Sequence, residues 1–250
     1  MPMPIKSNIS QAEQLLAQFW SLLNSRQLTQ AQAVSARLTS DFASFSPGWH
    51  AASVVALKLQ QGKQALQYID MALTLVPDNT LFLLHKISVL LALNARENAK
   101  NLAIELSHKQ QTNPTILAEL ALLLNSLGLY QASLTCYQQA LLIQPDNPGL
   151  LFNLASLQRY MGLLSEAETS LDRLITLNPN DSEAWLLRSG LRRQQSNNNH
   201  IDDLKNAIPN NQGDPISQAQ LYYALGKEQE DLQRYDECFS AYQQGALVRR

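Results

Sequence analysis

Cysteine is scarce in this sequence, and long apolar runs are missing from it. Cys136 and Cys238 are the only two cysteines among 250 residues, and neither has a second Cys or a His near it. This spacing excludes a disulfide framework and a zinc-ligand cluster built from neighbouring residues, and it favours a reducing compartment. No uninterrupted apolar run is longer than Leu120–Leu124, whereas a membrane span needs ~20 residues. Residues 1–12 lack the apolar core of a secretory signal. We therefore expect a cytoplasmic protein without a membrane partner.

Charge of either sign is also low. The net charge is −2 and only 16% of the residues are charged, so there is no general attraction to nucleic acid or to an anionic membrane. β-Branched and aromatic residues are too few for a sheet-rich protein, while Leu, Ala and Gln, which suit helices, are abundant. Because 45% of the residues are hydrophobic, the chain can bury a core. The composition predicts a folded, all-α protein.

A spacing of 34 residues recurs along the chain. Gly128 and Gly162 are 34 residues apart, and so are Pro145 and Pro179. One register describes seven repeats, the last displaced by three residues, that begin near Ala12, Ser46, Thr80, Pro114, Pro148, Ser182 and Ala219. Repeat four fits best, with Leu117, Leu120, Ala121, Gly128, Tyr130, Tyr137, Ala140 and Pro145 at the positions that define the pattern.

This pattern resembles the tetratricopeptide-repeat (TPR) family. Each repeat of that family has small residues at positions 8, 20 and 27, Gly at 15 and Pro at 32. The resemblance implies a right-handed superhelix (α-solenoid) of about seven helix-turn-helix repeats, in which stacked neighbours bury the apolar faces. We treat residues 1–250 as a single domain of this kind.

The starts of several helices carry capping signals. A capping residue followed by Pro, which suits the first helical position, occurs at Ser46-Pro47, Asn113-Pro114, Asn147-Pro148 and Asp214-Pro215. Two further pairs, Ser10 with Glu13 and Ser165 with Glu168, fit capping boxes.

The register is interrupted between residues 194 and 215. A polar run follows Arg193, and a turn-forming stretch covers residues 209–215. The second helix of repeat six is therefore expected to be short, at about residues 201–207. We interpret the irregular segment as a loop on one face of the array.

The last 45 residues or so carry a narrower resemblance. The segment Gln220–Leu232 reads QLYYALGKEQEDL, and with Tyr235, Asp236 and Tyr242 it is similar to the last repeat of bacterial TPR-containing sulfotransferases. In those proteins a helical array precedes a domain that uses 3′-phosphoadenosine 5′-phosphosulfate (PAPS). The phosphosulfate-binding loop of that domain does not occur in this sequence, so no catalytic or cofactor residue is implied. The alternative interpretation is part of a PAPS-dependent sulfotransferase whose catalytic domain is absent from this chain.

The sequence contains no motif for chemistry. It has no G-x-x-x-x-G-K-[ST], no G-x-G-x-x-G and no H-E-x-x-H. Its four histidines are scattered, although His50 and His85 could face a groove, and the acidic residues Glu228, Glu230 and Asp231 are interpreted as a solvated helix face. We predict a protein-binding scaffold without catalytic residues, metal or cofactor.

The resemblance also implies a binding groove lined by the first helix of each repeat. The residues at the groove positions that we expect to contact a peptide are Asn125, Phe152, Asn153, Ser156, Arg159, Tyr160, Arg193 and Lys227. Arg159 and Arg193 occupy equivalent positions of adjacent repeats and should point the same way. Arg pairs well with carboxylates and Asn with an extended backbone, so the expected ligand is a protein or an extended, acidic peptide. The alternative is that the arginines only solvate the groove or pair with neighbouring acids.

The end of repeat seven leads to one more expectation. Counted from Ala219, Arg250 is position 32, so no residues remain to cap the array. Part of the set Phe239, Tyr242, Leu247 and Val248 is expected to be exposed. A second copy or a missing C-terminal domain would cover it, unless the polar residues of this helix make its outer face self-capping.

Overall fold

All regular structure in the described part of the chain is helical. The computed structural model describes the backbone of residues 5–249 and the side chains of residues 9–249. The fourteen α-helices within that range are α1 (Ile5–Asn24), α2 (Leu28–Asp41), α3 (Ser46–Lys58), α4 (Gly62–Leu75), α5 (Thr80–Ala92), α6 (Arg96–Ser107), α7 (Pro114–Ser126), α8 (Tyr130–Ile143), α9 (Pro148–Tyr160), α10 (Leu164–Leu177), α11 (Ser182–Ser189), α12 (Ile201–Asn210), α13 (Pro215–Asp231) and α14 (Tyr235–Val248). There is no strand among residues 5–249, and the all-α prediction is confirmed.

Helix starts follow the 34-residue register through the middle of the chain. The odd-numbered helices α3 to α11 begin at Ser46, Thr80, Pro114, Pro148 and Ser182. The first and last helices of this series start earlier than the register, at Ile5 and Pro215. Helix α12 begins at Ile201 but continues to Asn210, so Pro209 lies in its last turn and not in the following turn.

Three of the four capping signals are correct. The side chain of Asn147 accepts a hydrogen bond from the Leu150 amide at 3.1 Å, and Asn113 and Asp214 cap α7 and α13 in the same way. The fourth is wrong, because Phe45 is the N-cap of α3 and Ser46 is already helical. Both predicted capping boxes are wrong as well, since Ser10 lies inside α1 and Ser165 inside α10.

In six of the seven repeats, the backbone itself forms the turn between the two helices. Gly162 adopts a φ of +77°, and the amide of Leu163 then donates to the carbonyl of Gln158, so the backbone itself closes the turn. The same position of five other repeats also has a positive φ, at Arg26, Gln60, Asn94, Gly128 and Gln233. Only two of these six residues are Gly, so the sequence pattern shows only part of this regularity.

The chain divides into two compact units. Unit 1 comprises residues 1–111 and 119–132, and unit 2 comprises residues 112–118 and 133–250. In unit 1, α1 packs against α2 and α3, and each helix from α2 to α5 packs against the next one. Its largest fully buried side chains include Phe19, Leu38, Ile69, Leu84, Ile87 and Leu106.

Unit 2 keeps the same packing until the irregular segment. Helix α9 packs against α10 and α10 against α11, whereas α13 contacts α11, α12 and α14. Gly226 of α13 lies under the ring of Tyr242, and Gly245 of α14 lies under Tyr223. Small residues at positions 8 and 27 of repeat seven thus allow two helices to approach closely.

The two cysteines belong to the packed interior of unit 2. Cys136 and Cys238 are both buried free thiols, and burial raises the pKa of Cys136 to about 11. A thiol that is protonated at neutral pH is a poor nucleophile. Their interpretation as core residues is therefore supported.

The outer face of α14 is partly apolar. Phe239 is 70% exposed and Leu247 is 50% exposed, while Tyr242 and Val248 are half-buried. The expected exposure of part of this set is observed. Association of this face with a second copy or with a further domain stays a prediction.

Candidate functional site

Helix α9 presents a polar and aromatic face to solvent. Arg159 and Tyr160 are exposed, Asn153 and Ser156 are half-buried, and the helical spacing places these residues on one side. The opposite side is formed by Leu151, Leu154 and Ala155, which are buried. This division is that of an amphipathic helix whose apolar side packs on the core. We call the four residues Asn153, Ser156, Arg159 and Tyr160 the α9 face.

The predicted groove residues are divided between the two units. Asn125 is part of unit 1, whereas the other seven belong to unit 2. Phe152 is half-buried and packs against the core of unit 2, so it offers less free aromatic surface than we expected. Tyr160, by contrast, is 69% exposed.

Arg193 does not occupy the helical position that its sequence register indicates. Helix α11 ends at Ser189, so Arg193 lies in the irregular segment and the equivalence with Arg159 is wrong. Its Nη2 atom lies 3.4 Å from the carbonyl oxygen of Asp231, the last residue of α13. A guanidinium near a helix C-terminus is favoured by the helix dipole. Tertiary contacts therefore determine the position of Arg193, and within the described range 9–249 its exposed side chain makes only this long hydrogen bond.

Lys227 has its charge paired within the chain. Its Nζ atom donates to the carbonyl of Arg192 and to Oδ2 of Asp231, each at 2.5 Å. By contrast, Arg159 makes no ion pair or hydrogen bond through its side chain with any residue in the described range 9–249. Among the three predicted cations, Arg159 is thus the one that remains most available to a ligand.

Glu228 is buried, and its interpretation as part of a solvated face is wrong. Its carboxylate accepts hydrogen bonds from the Ser189 hydroxyl at 2.7 Å and from the His200 amide at 2.6 Å. Nδ1 of His200 lies 3.4 Å from the same carboxylate. Burial alone would raise the pKa of Glu228, but hydrogen bonds from His200 and Ser189 together outweigh it and the pKa is lowered. The carboxylate is needed there because α11 ends early and leaves the polar backbone of the following segment against α13.

A second ionic cluster joins α10 to the end of α11. Arg188 is almost fully buried, and it pairs with Glu168 at 2.6 Å and with Asp172 at 2.8 Å. Arg192 contacts the same Glu168 at 2.9 Å. The pKa of Glu168 would be raised by burial, but the hydrogen bonds and charges of the two arginines lower it. The sequence analysis did not predict this cluster. A signal was present, because the two carboxylates are four residues apart and so are the two arginines, and this spacing predicts that each pair lies on one side of a helix.

Neither cluster is arranged for catalysis. The Ser189 hydroxyl donates to the Glu228 carboxylate but is fully buried, so a substrate has no access to it. Among the residues that the structure describes, no three His, Cys, Asp or Glu side chains could hold a metal ion together. No helix in this part of the chain is both long and apolar enough to cross a membrane.

Two neutral histidines line a cavity of about 550 Å³ in unit 1, with Trp20, Lys58 and other residues. Burial lowers the pKa of His50 and of His85 to about 4. The Ser53 hydroxyl donates to the Ala65 carbonyl, so Nε2 of His85 must donate the 2.9 Å hydrogen bond to Ser53. These imidazoles are packed within the unit and do not form a charged site.

Comparison with known proteins identifies the repeats. Family models of the tetratricopeptide repeat match residues 124–191 and residues 219–249. The human protein O-mannosyl-transferase TMTC1 is 26% identical over 141 residues, which are 56% of this chain and 16% of that protein. This chain therefore spans only a small part of that relative, and the transferase activity in its name is a property of that protein.

Solved structures share the fold at low sequence identity. The C-terminal part of a TPR repeat-containing protein from Cytophaga hutchinsonii has a TM-score of 0.67 and 11% identity, covering 93% of this chain and 95% of that one. YrrB, described as a TPR protein with an unusual peptide-binding site, has a TM-score of 0.52 and 13% identity, covering 84% and 97%. The chain contains tetratricopeptide repeats in a helical solenoid, a fold that generally serves as a non-catalytic scaffold for protein interactions.

Proposed function

We propose that this scaffold binds an extended peptide with a carboxylate group along the α9 face. The observation that carries the proposal is the exposed Arg159 beside the exposed Tyr160. An arginine without an internal partner is a fork of donors that matches a carboxylate. Tyr160 adds a flat apolar surface that loses little conformational entropy on binding.

The rest of the face suits a peptide backbone. Asn153 carries both a donor and an acceptor and is half-exposed one turn and a half before Arg159. Arg193 is also exposed, and its single hydrogen bond of 3.4 Å is longer than a strong one. It can therefore exchange that partner for a ligand carboxylate. The peptide-binding site named for YrrB supports the use of this fold for peptides.

Replacing both exposed arginines should weaken binding of acidic peptides. For the variant Arg159→Ala/Arg193→Ala we expect about tenfold lower affinity and a flatter dependence on salt, because two charge-assisted contacts are lost. The measurement is fluorescence anisotropy with labelled peptides that contain Glu, each compared with its Gln counterpart. Circular dichroism checks that the variant is folded.

The matched control is Arg37→Ala/Arg249→Ala, which removes the same charge from exposed positions on α2 and just after α14. It should leave both affinity and salt dependence unchanged. Equal affinity of wild type and Arg159→Ala/Arg193→Ala, or an equal loss in the control, contradicts the proposal.

The sulfotransferase hypothesis rests only on the resemblance of the last 45 residues or so. Two of the shared residues that define it have structural roles here: Gly226 underlies Tyr242, and Lys227 pairs with Asp231. These roles account for the motif as a feature of the last repeat. We expect the 250-residue chain to transfer no labelled sulfate from PAPS, and transfer above the level of a heat-treated sample would overturn the prediction that this chain lacks catalysis.

A further inference from the structure

A cavity of about 430 Å³ opens between α10, α11 and α12 of unit 2. It lies where the repeat pattern is irregular, because α11 ends at Ser189 and α12 begins only at Ile201. It is lined by residues that are separate from the α9 face, and its volume falls within the ~300–1,000 Å³ usual for ligand pockets. The cavity is therefore a candidate ligand site separate from the α9 face.

Hydrogen-bond acceptors without partners line two walls of this cavity. Asp203 of α12 is exposed, and its carboxylate bonds to no other side chain or amide in the range 9–249. Asp172 of α10 uses Oδ1 for Arg188, while its Oδ2 makes no bond with a described residue. The side chain of Asn206 is also without a hydrogen bond in this part of the chain. None of the described lining residues is Lys or Arg, and although Arg188 pairs with Asp172, Asp203 leaves an uncompensated negative charge at the cavity.

One wall of the cavity is apolar, while Thr176, Asn180, His200 and Asn210 complete the lining. Ile175 of α10 and Ala207 of α12 contribute aliphatic surface. Trp185 is held in place because its indole N–H donates to the Pro179 carbonyl at 2.9 Å. A cavity that combines carboxylates with an apolar wall favours a cation carried on an aliphatic stem.

We propose that this cavity binds the guanidinium group of an arginine side chain on a partner polypeptide. The guanidinium is planar, carries five donors and is weakly hydrated, so it can satisfy two carboxylates and an amide oxygen while its stem lies on the apolar wall. The ammonium of lysine has three donors and holds its water more strongly. The site is distinct from the α9 face, whose Arg159 selects the opposite charge.

The test uses acetyl-Ala-Arg-Ala-amide as the probe and the full chain as the receptor. In ¹H–¹⁵N NMR spectra, the indole resonance of Trp185 should shift with the probe and saturate. The same peptide with citrulline, which has nearly the same shape without the charge, should bind at least about tenfold more weakly. Free L-arginine should bind no tighter than the capped peptide, since the backbone of the ligand is not recognised.

Two variants on the same turn of α12 supply the matched comparison. Asp203→Asn should weaken probe binding about tenfold because it removes a carboxylate from the cavity. Asp202→Asn makes the same charge change at a neighbouring exposed residue that does not line the cavity, and it should leave binding unchanged. The Arg159→Ala/Arg193→Ala variant should also bind the probe normally, so the two proposals fail separately.

Three outcomes would overturn the proposal. The first is the absence of a saturable shift at Trp185. The second is equal binding of the citrulline peptide, which would show that the cavity recognises shape and not charge, or an equal loss in both α12 variants, which would show that only the net charge of the chain matters. The third is tighter binding of free L-arginine than of the capped peptide, which would make the site one for a small molecule.

Discussion

Replacing Glu228 by Ala is expected to lower the free energy of unfolding by ~3 kcal/mol, because it removes one partner of a buried polar cluster. Two donors lose their acceptor at once, namely the Ser189 hydroxyl and the His200 amide, and Nδ1 of His200 loses the carboxylate oxygen that lies 3.4 Å from it. A buried donor without a partner costs more than the hydrogen bond itself contributes. Urea unfolding monitored by circular dichroism measures the loss, and hydrogen–deuterium exchange should place it in residues 182–231.

The matched control is Glu230→Ala on the same helix. Glu230 is exposed and makes one hydrogen bond, from the Tyr242 hydroxyl at 3.1 Å. Its removal should cost about 1 kcal/mol or less. If both variants lose the same stability, the burial of Glu228 has no energetic consequence and the interpretation of the cluster is wrong.

The contribution of Glu228 should also depend on pH in a defined direction. Its pKa in the folded chain lies below the ordinary value of 4.5, so the unfolded chain binds the proton more readily. The stabilisation is therefore complete above pH 4.5 and is lost as the pH falls through the lowered pKa. The difference in the free energy of unfolding between the wild type and Glu228→Gln should shrink as the pH falls below 4.5. A difference that stays constant down to and below the lowered pKa of Glu228 argues against a role for its charge.

Gly226→Ala is expected to destabilise the last helix pair, although Ala is the better helix former. The added Cβ would lie 2.6 Å from two carbon atoms of the Tyr242 ring. The hydroxyl of Tyr242 is tethered to Glu230, so the ring cannot move away without losing that bond. Overpacking of this kind costs about 1–3 kcal/mol, against a gain in helix propensity of at most about 1 kcal/mol. Thermal unfolding should show a lower midpoint.

Two comparisons separate the clash from general effects of the substitution. In Gly149→Ala, the new Cβ meets only Oδ1 of Asn147 at 3.5 Å, so stability should be unchanged or slightly higher. In a Tyr242→Ala background, Gly226→Ala should no longer destabilise, because the opposing ring is gone. A loss of stability that persists in that background would show that the close approach of α13 and α14 is not the cause.

The sequence by itself determined the repeat, its period and most helix starts. These features are local: a capping side chain bonds amides two or three residues away, and the apolar spacing records which side of a helix is buried. The α9 face was predictable for the same reason, since Asn153, Ser156, Arg159 and Tyr160 follow directly from the register of one regular helix. The turn conformation at position 15 of the repeat was predictable only in part. Gly128 indicates it because glycine favours a positive φ, but Gln60 and Asn94 adopt a positive φ at the same position without being glycine.

Only the tertiary structure decided which polar residues are exposed around the irregular repeat. The acidic neighbours of Glu228 in the sequence indicate a solvated helix face. Its carboxylate is nevertheless buried, because it bonds to Ser189 and His200, which are 39 and 28 residues away. Arg193 does not lie in a helix as its register predicted, because α11 ends one turn before it. The physical reason is common to both: a helical pattern states which way a side chain points, but whether water or another chain segment meets it depends on contacts made by residues far apart in sequence.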